Sequence, residues 1–542
     1  MTGGLVKTPV ASARGLVVAK HPLAAAVGAA VLREGGNAFD AAVATGFAVG
    51  VVEPYMSGIG GVGLALAYRE GAVTVFDGGP VSPGALDPAR FVVEPGGVDD
   101  DLFGWPRVAG GLNVKGATSV AVPSAVALLE ALYRHGASWP WARLVEPAVR
   151  LAEDGWPVDW QMVLHLVAHQ AELEEYPTTR ATYLPGGRLP QYSLTDVPGT
   201  TVRFPRLAET LRVIAREGAR ALYAGPLGER VAAFVREQGG WLDKEDLARY
   251  TVRISTRPLA VPVGGATVYL PDGLNGGPTM AHMLLLAQAL EAEGESDALV
   301  RWVRAGRLAF EDRLALLGHA GTPPDMLSAE AVARRVREAP RAEGPGARPP
   351  DSTTHLVVVD AAGNGVSMNL TLLSVWGSRL VVPDLGMLLN NGIMWFDPVP
   401  GRPNSLAPGV RPLANMAPAL AVAEDRLAVL VGASGGRRII SAVPQILWQV
   451  LREGRDMQAA VDHPRVETSV VPVLVDPRWG RDLADVVRAT GVPARWRAPA
   501  LANPGYASPV GIRRRPDGLW EGGADAWGLA TVRAPDDAEE AI

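Results

Sequence analysis

Ser352-Thr353-Thr354-His355 runs into Leu356-Val357-Val358-Val359-Asp360 and then Ala361-Ala362-Gly363-Asn364. A polar lead, an unbroken apolar run and a glycine-asparagine turn predict a loop, a buried strand and a second strand behind it. The threonine pair stands where the first strand begins, in mid-chain. A cut before Thr353 would leave that residue with a free α-amine beside its own hydroxyl. One residue would then carry both nucleophile and base, the amine taking the proton from Oγ as Oγ attacks a carbonyl. An α-amine ordinarily titrates at about 7.7–8.0, so it serves as a base at neutral pH without tuning. A threonine pair ahead of a strand is also what β-propensity alone produces.

The residues on either side decide what such a loop can be. Arg337–Ser352 holds Pro340, Pro345, Pro349 and Pro350 together with Arg337, Arg341 and Arg348. This is linker chemistry, so an extended, polar, exposed segment is expected, as a processing loop should be. Upstream, Pro22–Arg33 has helical spacing and stops at Gly35-Gly36. Asn37 or Asp40 can cap the next helix, which is apolar nearly all round and therefore buried. Leu64–Tyr68 with Val73–Phe76 reads as a hairpin, and Val261–Leu270 as a strand. Helices are expected at Ser124–Tyr133, Trp141–Ala152, Ala208–Glu217, Leu227–Glu237 and Met280–Glu291. Strand Leu427–Val431, helix Ile439–Leu451 and terminal strands close the chain. Strands, then helices, then strands fit a layered sandwich with helices on both sheet faces.

Composition excludes several classes. The chain has 542 residues, 48% hydrophobic and 20% charged, with a net charge of −6. That balance suits a globular protein and argues against nucleic acid as the main partner. There are no cysteines, which removes disulfides, thiol catalysis and cysteine-ligated metal. The Ala41–Val52 run is too short and too glycine-interrupted to span a bilayer. The first residues, Met1 to Pro9, hold no apolar core of signal-peptide length.

Over nearly its whole length the chain resembles the γ-glutamyltransferase family of N-terminal-nucleophile hydrolases. The matching pieces come in the family's order: Gly35-Gly36-Asn37-Ala38-Phe39-Asp40, Val52-Glu53-Pro54 with Ser57-Gly58-Ile59-Gly60-Gly61, Gly239-Gly240 with Glu245-Asp246-Leu247-Ala248, Thr353-Thr354-His355, Leu388-Leu389-Asn390-Asn391, Arg411-Pro412-Leu413 and Gly435-Gly436. The resemblance implies an α+β fold, a four-layer αββα sandwich. It also implies self-cleavage into a large subunit, 1–352, and a small one, 353–542, together one compact domain. It makes Thr353 the nucleophile and Thr371 the hydroxyl that would hydrogen-bond its oxygen, although a plain strand threonine is the alternative there. Gly435 and Gly436, between a strand and a helix, would offer backbone N–H groups as an oxyanion hole; a simple connection is the alternative. Cofactors and metals are not expected. The expected partners are a small amide substrate, a water or amine acceptor and the two subunits of one precursor, without nucleic acid or membrane. Many members are exported, so the polar start favours the cytoplasm.

The chain departs from the family where the γ-glutamyl group would be held. Gly79 stands where an arginine for the α-carboxylate is expected, Trp395 where an aspartate for the α-amine is expected, and Ala414-Asn415 where two serines are expected. Each lost charge-assisted contact is worth around 1.5–3 kcal/mol, so little reason remains to prefer a free amino-acid end. Acylase-like members are the better match. Arg437 and Asn415 are candidate carboxylate anchors, with Trp395 and Asn391 also in the substrate site; a structural or surface role is the alternative for Arg437. The expected substrate is a γ-glutamyl, glutaryl or similar dicarboxylic monoamide. A glutathione-cleaving γ-glutamyltransferase is the enzyme alternative, and an uncleaved ligand-binding pseudoenzyme the alternative from another class.

Three further patterns carry less. His165 and His169 have metal-ligand spacing, but no glutamate lies between them, so surface helix histidines are expected. Gly58–Gly63 follows a helix and precedes none, which rejects a dinucleotide loop. Asp312-Arg313 and Arg334–Arg341 read as solvated faces.

Overall fold

The computed structural model describes residues 7–98, 105–345, 353–501 and 505–537. Two seven-stranded sheets form its centre. The first runs, edge to edge, Thr531–Arg533, Gly15–Ala19, Thr354–Asp360, Gly365–Thr371, Val62–Arg69, Ala72–Gly78 and Arg253–Ser255. The second runs Val10–Ser12, Trp520–Ala524, Ser508–Arg514, Arg426–Ser434, Ala419–Ala423, Ala266–Leu270 and Leu259–Val263. Both contain strands from before and after position 353. Thr354–Asp360 is an interior strand, antiparallel to both neighbours, with Val357 opposite Val18 and Thr354 opposite Leu370.

Strand alternation builds the four layers. Leu16, Val18, Leu64, Leu66, Val357 and Val359 share one apolar cluster with Leu420, Leu430, Val510 and Ile512 of the second sheet. Their neighbours Val17, Ala65, Ala67, Leu356 and Val358 point the other way, into a cluster with the helices of the first half. In the second sheet Val429, Val431 and Ala433 face helices Gly277–Ala292, Ala298–Leu316 and Arg438–Leu451. A period of two on strands buried on both faces thus gives helix, sheet, sheet, helix. The αββα sandwich is the fold.

Helix Ala38–Val52 lies under the strand that Thr353 introduces. Asn37 caps it in a capping box with Asp40, and every residue but Gly50 is buried. Each of its buried valines and phenylalanines contributes about 1.5–3 kcal/mol relative to exposure. Asp40 is tolerated there because Ser138 and Trp139 backbone N–H groups and the Ser138 hydroxyl donate to it. Among the described residues no helix is long and apolar enough to cross a membrane.

Several expectations change. Val261–Leu270 is a hairpin, Leu259–Val263 with Ala266–Leu270, because Gly264 and Gly265 both take positive φ at the turn. His165 is not on the surface. It is buried, stacks on Tyr55 at 4.5 Å between ring centroids, and its carbonyl accepts from the Trp376 indole. Arg313 is fully buried, and Arg335 is clamped between Glu311 and Asp312. These charged positions lie on helix faces covered by other elements, which spacing within one helix does not reveal. Residues 337–344 of the proline-rich segment are exposed apart from Pro340, while 346–352 lie outside the described residues.

Candidate active site

Thr353 sits at the head of the interior strand with φ of +110°, a conformation that a β-branched residue adopts only under strain. It is only 3% exposed. Its hydroxyl donates to Thr371 Oγ1 at 3.1 Å. Thr371 ends the neighbouring strand, and its oxygen also accepts from the Leu373 N–H at 2.9 Å. Leu373, Trp376 and Arg379 behind it all have positive φ, so the strand end runs into a tightly bent loop. Register explains the pairing: Thr354 opposes Leu370, which brings the residues just outside that pair together.

The polar shell behind Thr353 is largely paired, His355 Nδ1 being without a partner among the described residues. The Thr354 hydroxyl donates to Glu53 Oε2 at 2.7 Å, from the C-terminal end of helix Ala38–Val52. Burial pushes the Glu53 carboxyl up, while the Thr354 bond, Lys20 and His21 pull it back. The His355 ring is fully buried against Gly432, where an added Cβ would meet ring atoms at 2.2 Å. Its Nε2 lies 3.2 Å from Ser367 Oγ. Burial pushes its pKa down to about 3, so the ring stays neutral and serves packing. Asn369 joins three segments: its Nδ2 donates to Thr354 O and Ala433 O, and its Oδ1 accepts from the Ala417 N–H. Sequence reasoning missed Asn369 and the role of Glu53. The Val52-Glu53-Pro54 motif was a signal for the second, whereas nothing short of the tertiary contacts marks the first.

Strand Arg426–Ser434 turns into helix Arg438–Leu451 through Gly435 at φ +130° and Gly436 at φ +58°. Glycine carries such angles without a Cβ penalty. The Gly435 carbonyl accepts from the Arg438 backbone at 3.2 Å and from its Nε at 3.1 Å. The N–H groups of Gly435 and Gly436 are buried and donate to no acceptor among the described residues. Buried backbone donors are nearly always paired, so this turn suits an incoming oxygen.

The acyl-end candidates differ among themselves. Asn391 is consumed internally. Its Oδ1 accepts from Ser374 N–H, and its Nδ2 donates to Ser374 Oγ and Val114 O. Trp395 is buried, and its indole N–H has no partner among the described residues. Asn415 is buried with Oδ1 accepting from Arg313 Nη2 at 3.0 Å, while its Nδ2 has no partner among the described residues. Arg437 is fully buried, not a surface residue, and burial pulls its pKa down to about 10. Over Gly79 the space is taken: Arg411 Nη1 donates to Gly79 O at 2.8 Å and lies 3.3 Å from where a Cβ would stand. Asp397, the nearest acid in sequence to Trp395, accepts from Arg402 and from the Val399 N–H.

The chain is similar to known proteins over most of its length. The family model described as gamma-glutamyltranspeptidase matches residues 24–533. An acylase ACY 1 proenzyme of Pseudomonas sp. (strain V22) is 34% identical over 478 residues, covering 85% of this chain and 84% of that one. A glutathione hydrolase proenzyme of Bacillus subtilis (strain 168) is 30% identical over 495 residues, covering 84% and 81%. A solved cephalosporin acylase from Bacillus halodurans superposes with a TM-score of 0.84 at 25% identity, covering 98% of both chains. The chain is an enzyme of the gamma-glutamyltranspeptidase family, with acylases as well as glutathione hydrolases among its relatives.

Proposed function

We propose that this enzyme cleaves itself between Ser352 and Thr353 and then works as a Thr353-nucleophile acylase on dicarboxylic monoamides. The observation that carries the reading is the hydroxyl pair Thr353–Thr371 at the strained head of an interior strand. In processing, Thr353 Oγ attacks the Ser352 carbonyl carbon and the acyl group passes from nitrogen to oxygen. Water then cleaves the ester, leaving a Ser352 carboxylate and a free Thr353 α-amine. In turnover that amine takes the Oγ proton as Oγ attacks the substrate amide. The unpaired N–H groups of Gly435 and Gly436 receive the oxyanion. The leaving amine departs with the proton, and water or an amine then takes the acyl group from Thr353.

The acyl preference rests on the far end of the site. Trp395 is apolar where an ammonium group would need an acid, and Asp397 is already paired with Arg402. Burying an ammonium there without a partner is costly. Asn415 offers its Nδ2 to an acceptor group instead, and Arg437 is the second candidate for that acceptor. The acylase names among the relatives support this direction.

A denaturing gel with N-terminal sequencing tests processing, and a panel of γ-glutamyl, glutaryl and oxamoyl amides tests specificity. A single full-length band in fully folded enzyme, or a small fragment starting elsewhere than Thr353, sinks the nucleophile assignment.

A further inference from the structure

Arg313 lies in the last turns of helix Ala298–Leu316 and is fully buried. Its guanidinium donates to Asn275 O at 3.0 Å, Thr279 Oγ1 at 3.2 Å, Ala414 O at 2.6 Å and Asn415 Oδ1 at 3.0 Å. All four acceptors are neutral. Among the described residues no carboxylate pairs with it, although the chain's other buried arginines on this helix, Arg301 and Arg307, face Glu291 and Glu311. Burial pulls the Arg313 pKa down to about 9, and the positive charge of Arg437 adds to that pull. A buried cation with neutral partners is expensive to keep, and an apolar side chain of similar volume is often no less stable. Packing is therefore a poor reason for an arginine here.

What Arg313 does locally is fix a direction. A guanidinium only donates, so the atom it meets on Asn415 must be the amide oxygen. The Asn415 Nδ2 then faces away from Arg313, buried and without a partner among the described residues. The segment that carries it is tied to the catalytic end, because Ala417 N–H donates to Asn369, which holds Thr354 O and Ala433 O. Trp395, whose buried indole N–H also lacks a partner among the described residues, packs in the same apolar cluster as Ala414 and Met416. Asn415 Nδ2 and Arg313 Nε are thus unpartnered donors among the described residues, beside a cation with no carboxylate partner among them. Such a set suits an acceptor that carries negative charge.

We propose that Arg313 is a specificity-determining positioning residue: it holds Asn415 with its amide NH2 turned to the acyl pocket, and its uncompensated charge makes that pocket select acyl groups ending in a carboxylate. The inference rests on the acylase reading above and names the feature of the acyl group that this chain selects.

The test compares glutaryl p-nitroanilide with pentanoyl p-nitroanilide, which has the same carbon count and no carboxylate. Processed wild-type enzyme, Arg313→Met and Arg313→Lys are assayed for kcat and KM separately. Wild-type enzyme should favour the glutaryl compound. Arg313→Met should raise KM for it by about tenfold or more, the loss expected of a charge-assisted interaction, with kcat for both and KM for the pentanoyl compound changed little. Arg313→Lys keeps the charge without the fork, so it should keep the preference with an intermediate KM. Equal losses on both substrates, or no glutaryl preference in the wild type, overturn the proposal. Should Arg313→Met fail to fold or process, the Lys variant decides by the same criteria. Should wild-type enzyme cleave neither anilide, the acylase reading falls. Calorimetric binding of glutarate then judges Arg313 separately: a Kd weakened severalfold in Arg313→Lys supports the role, and an unchanged Kd overturns it.

Discussion

The two ends of the site are built on opposite principles. Around Thr353 nearly every side-chain polar group has a protein partner: Thr353 with Thr371, Thr354 with Glu53, His355 with Ser367, Asn369 with three backbone groups. The Trp395 indole N–H and Asn415 Nδ2 have no partner among the described residues, and Arg313 has no carboxylate partner among them. The closed end fixes geometry, which bond making requires to a fraction of an ångström. In the proposed reading the open end leaves its bonds for the substrate to complete, which is how a site rejects molecules that lack the matching group.

The comparison breaks most severely at the closed end. Thr353→Ala should leave one full-length band on a denaturing gel and lower any activity by about 10⁴-fold or more, as loss of a nucleophile does elsewhere. A variant that still splits at 352/353 would mean that another group attacks.

Next comes the glycine turn. Gly435→Pro or Gly436→Pro removes one N–H, and loss of one oxyanion donor costs about 10²–10³ in kcat. Both residues sit at positive φ, so Gly436→Ala is the control: it strains the turn but keeps the donor. Near-normal kcat in a folded proline variant would place the oxyanion hole elsewhere.

At the open end the effect is an absence of discrimination. The kcat/KM values for γ-glutamyl and glutaryl p-nitroanilide should lie within about tenfold of each other, because no buried acid is stranded when the α-amine is missing. A γ-glutamyl preference of roughly a hundredfold would return the enzyme to the transferase side of its family.

The smallest effect sharpens the contrast through pH. His355 and His165 are pushed down to about 3, and His282 to about 4, all chiefly by burial. The folded chain keeps these rings neutral while the unfolded chain protonates them near pH 6.5. Their contribution is therefore complete above about pH 6.5 and is lost as pH falls from there toward 4. Each such ring should cost about 1.4 kcal/mol at pH 5.5 relative to pH 7.5. Urea midpoints at the two pH values should show the drop, and His355→Gln should reduce it. An equal drop in that variant would mean that His355 is not held neutral by the closed end.

Sequence alone settled the elements whose physics is local. Asn37 or Asp40 marked the start of helix Ala38–Val52, where the structure has Asn37 as cap with Asp40 closing the box, and its apolar faces spelled burial. Leu356–Val359 spelled a strand buried on both sides, and Gly435-Gly436 a turn that only glycine fits. The ordered motifs gave the family, and with it Thr353 and Thr371 as candidates. Contacts across the fold stayed hidden, because they join residues distant in sequence that no periodicity relates. Asn369 gains its meaning only when three segments converge on it. Arg313 reads as a solvated helix arginine until helix Ala298–Leu316 is laid against the Ala414-Asn415 segment, about a hundred residues away. Charge on a helix announces exposure only while nothing covers it; which face is covered is decided by packing, and packing here buried Arg313 against Asn415.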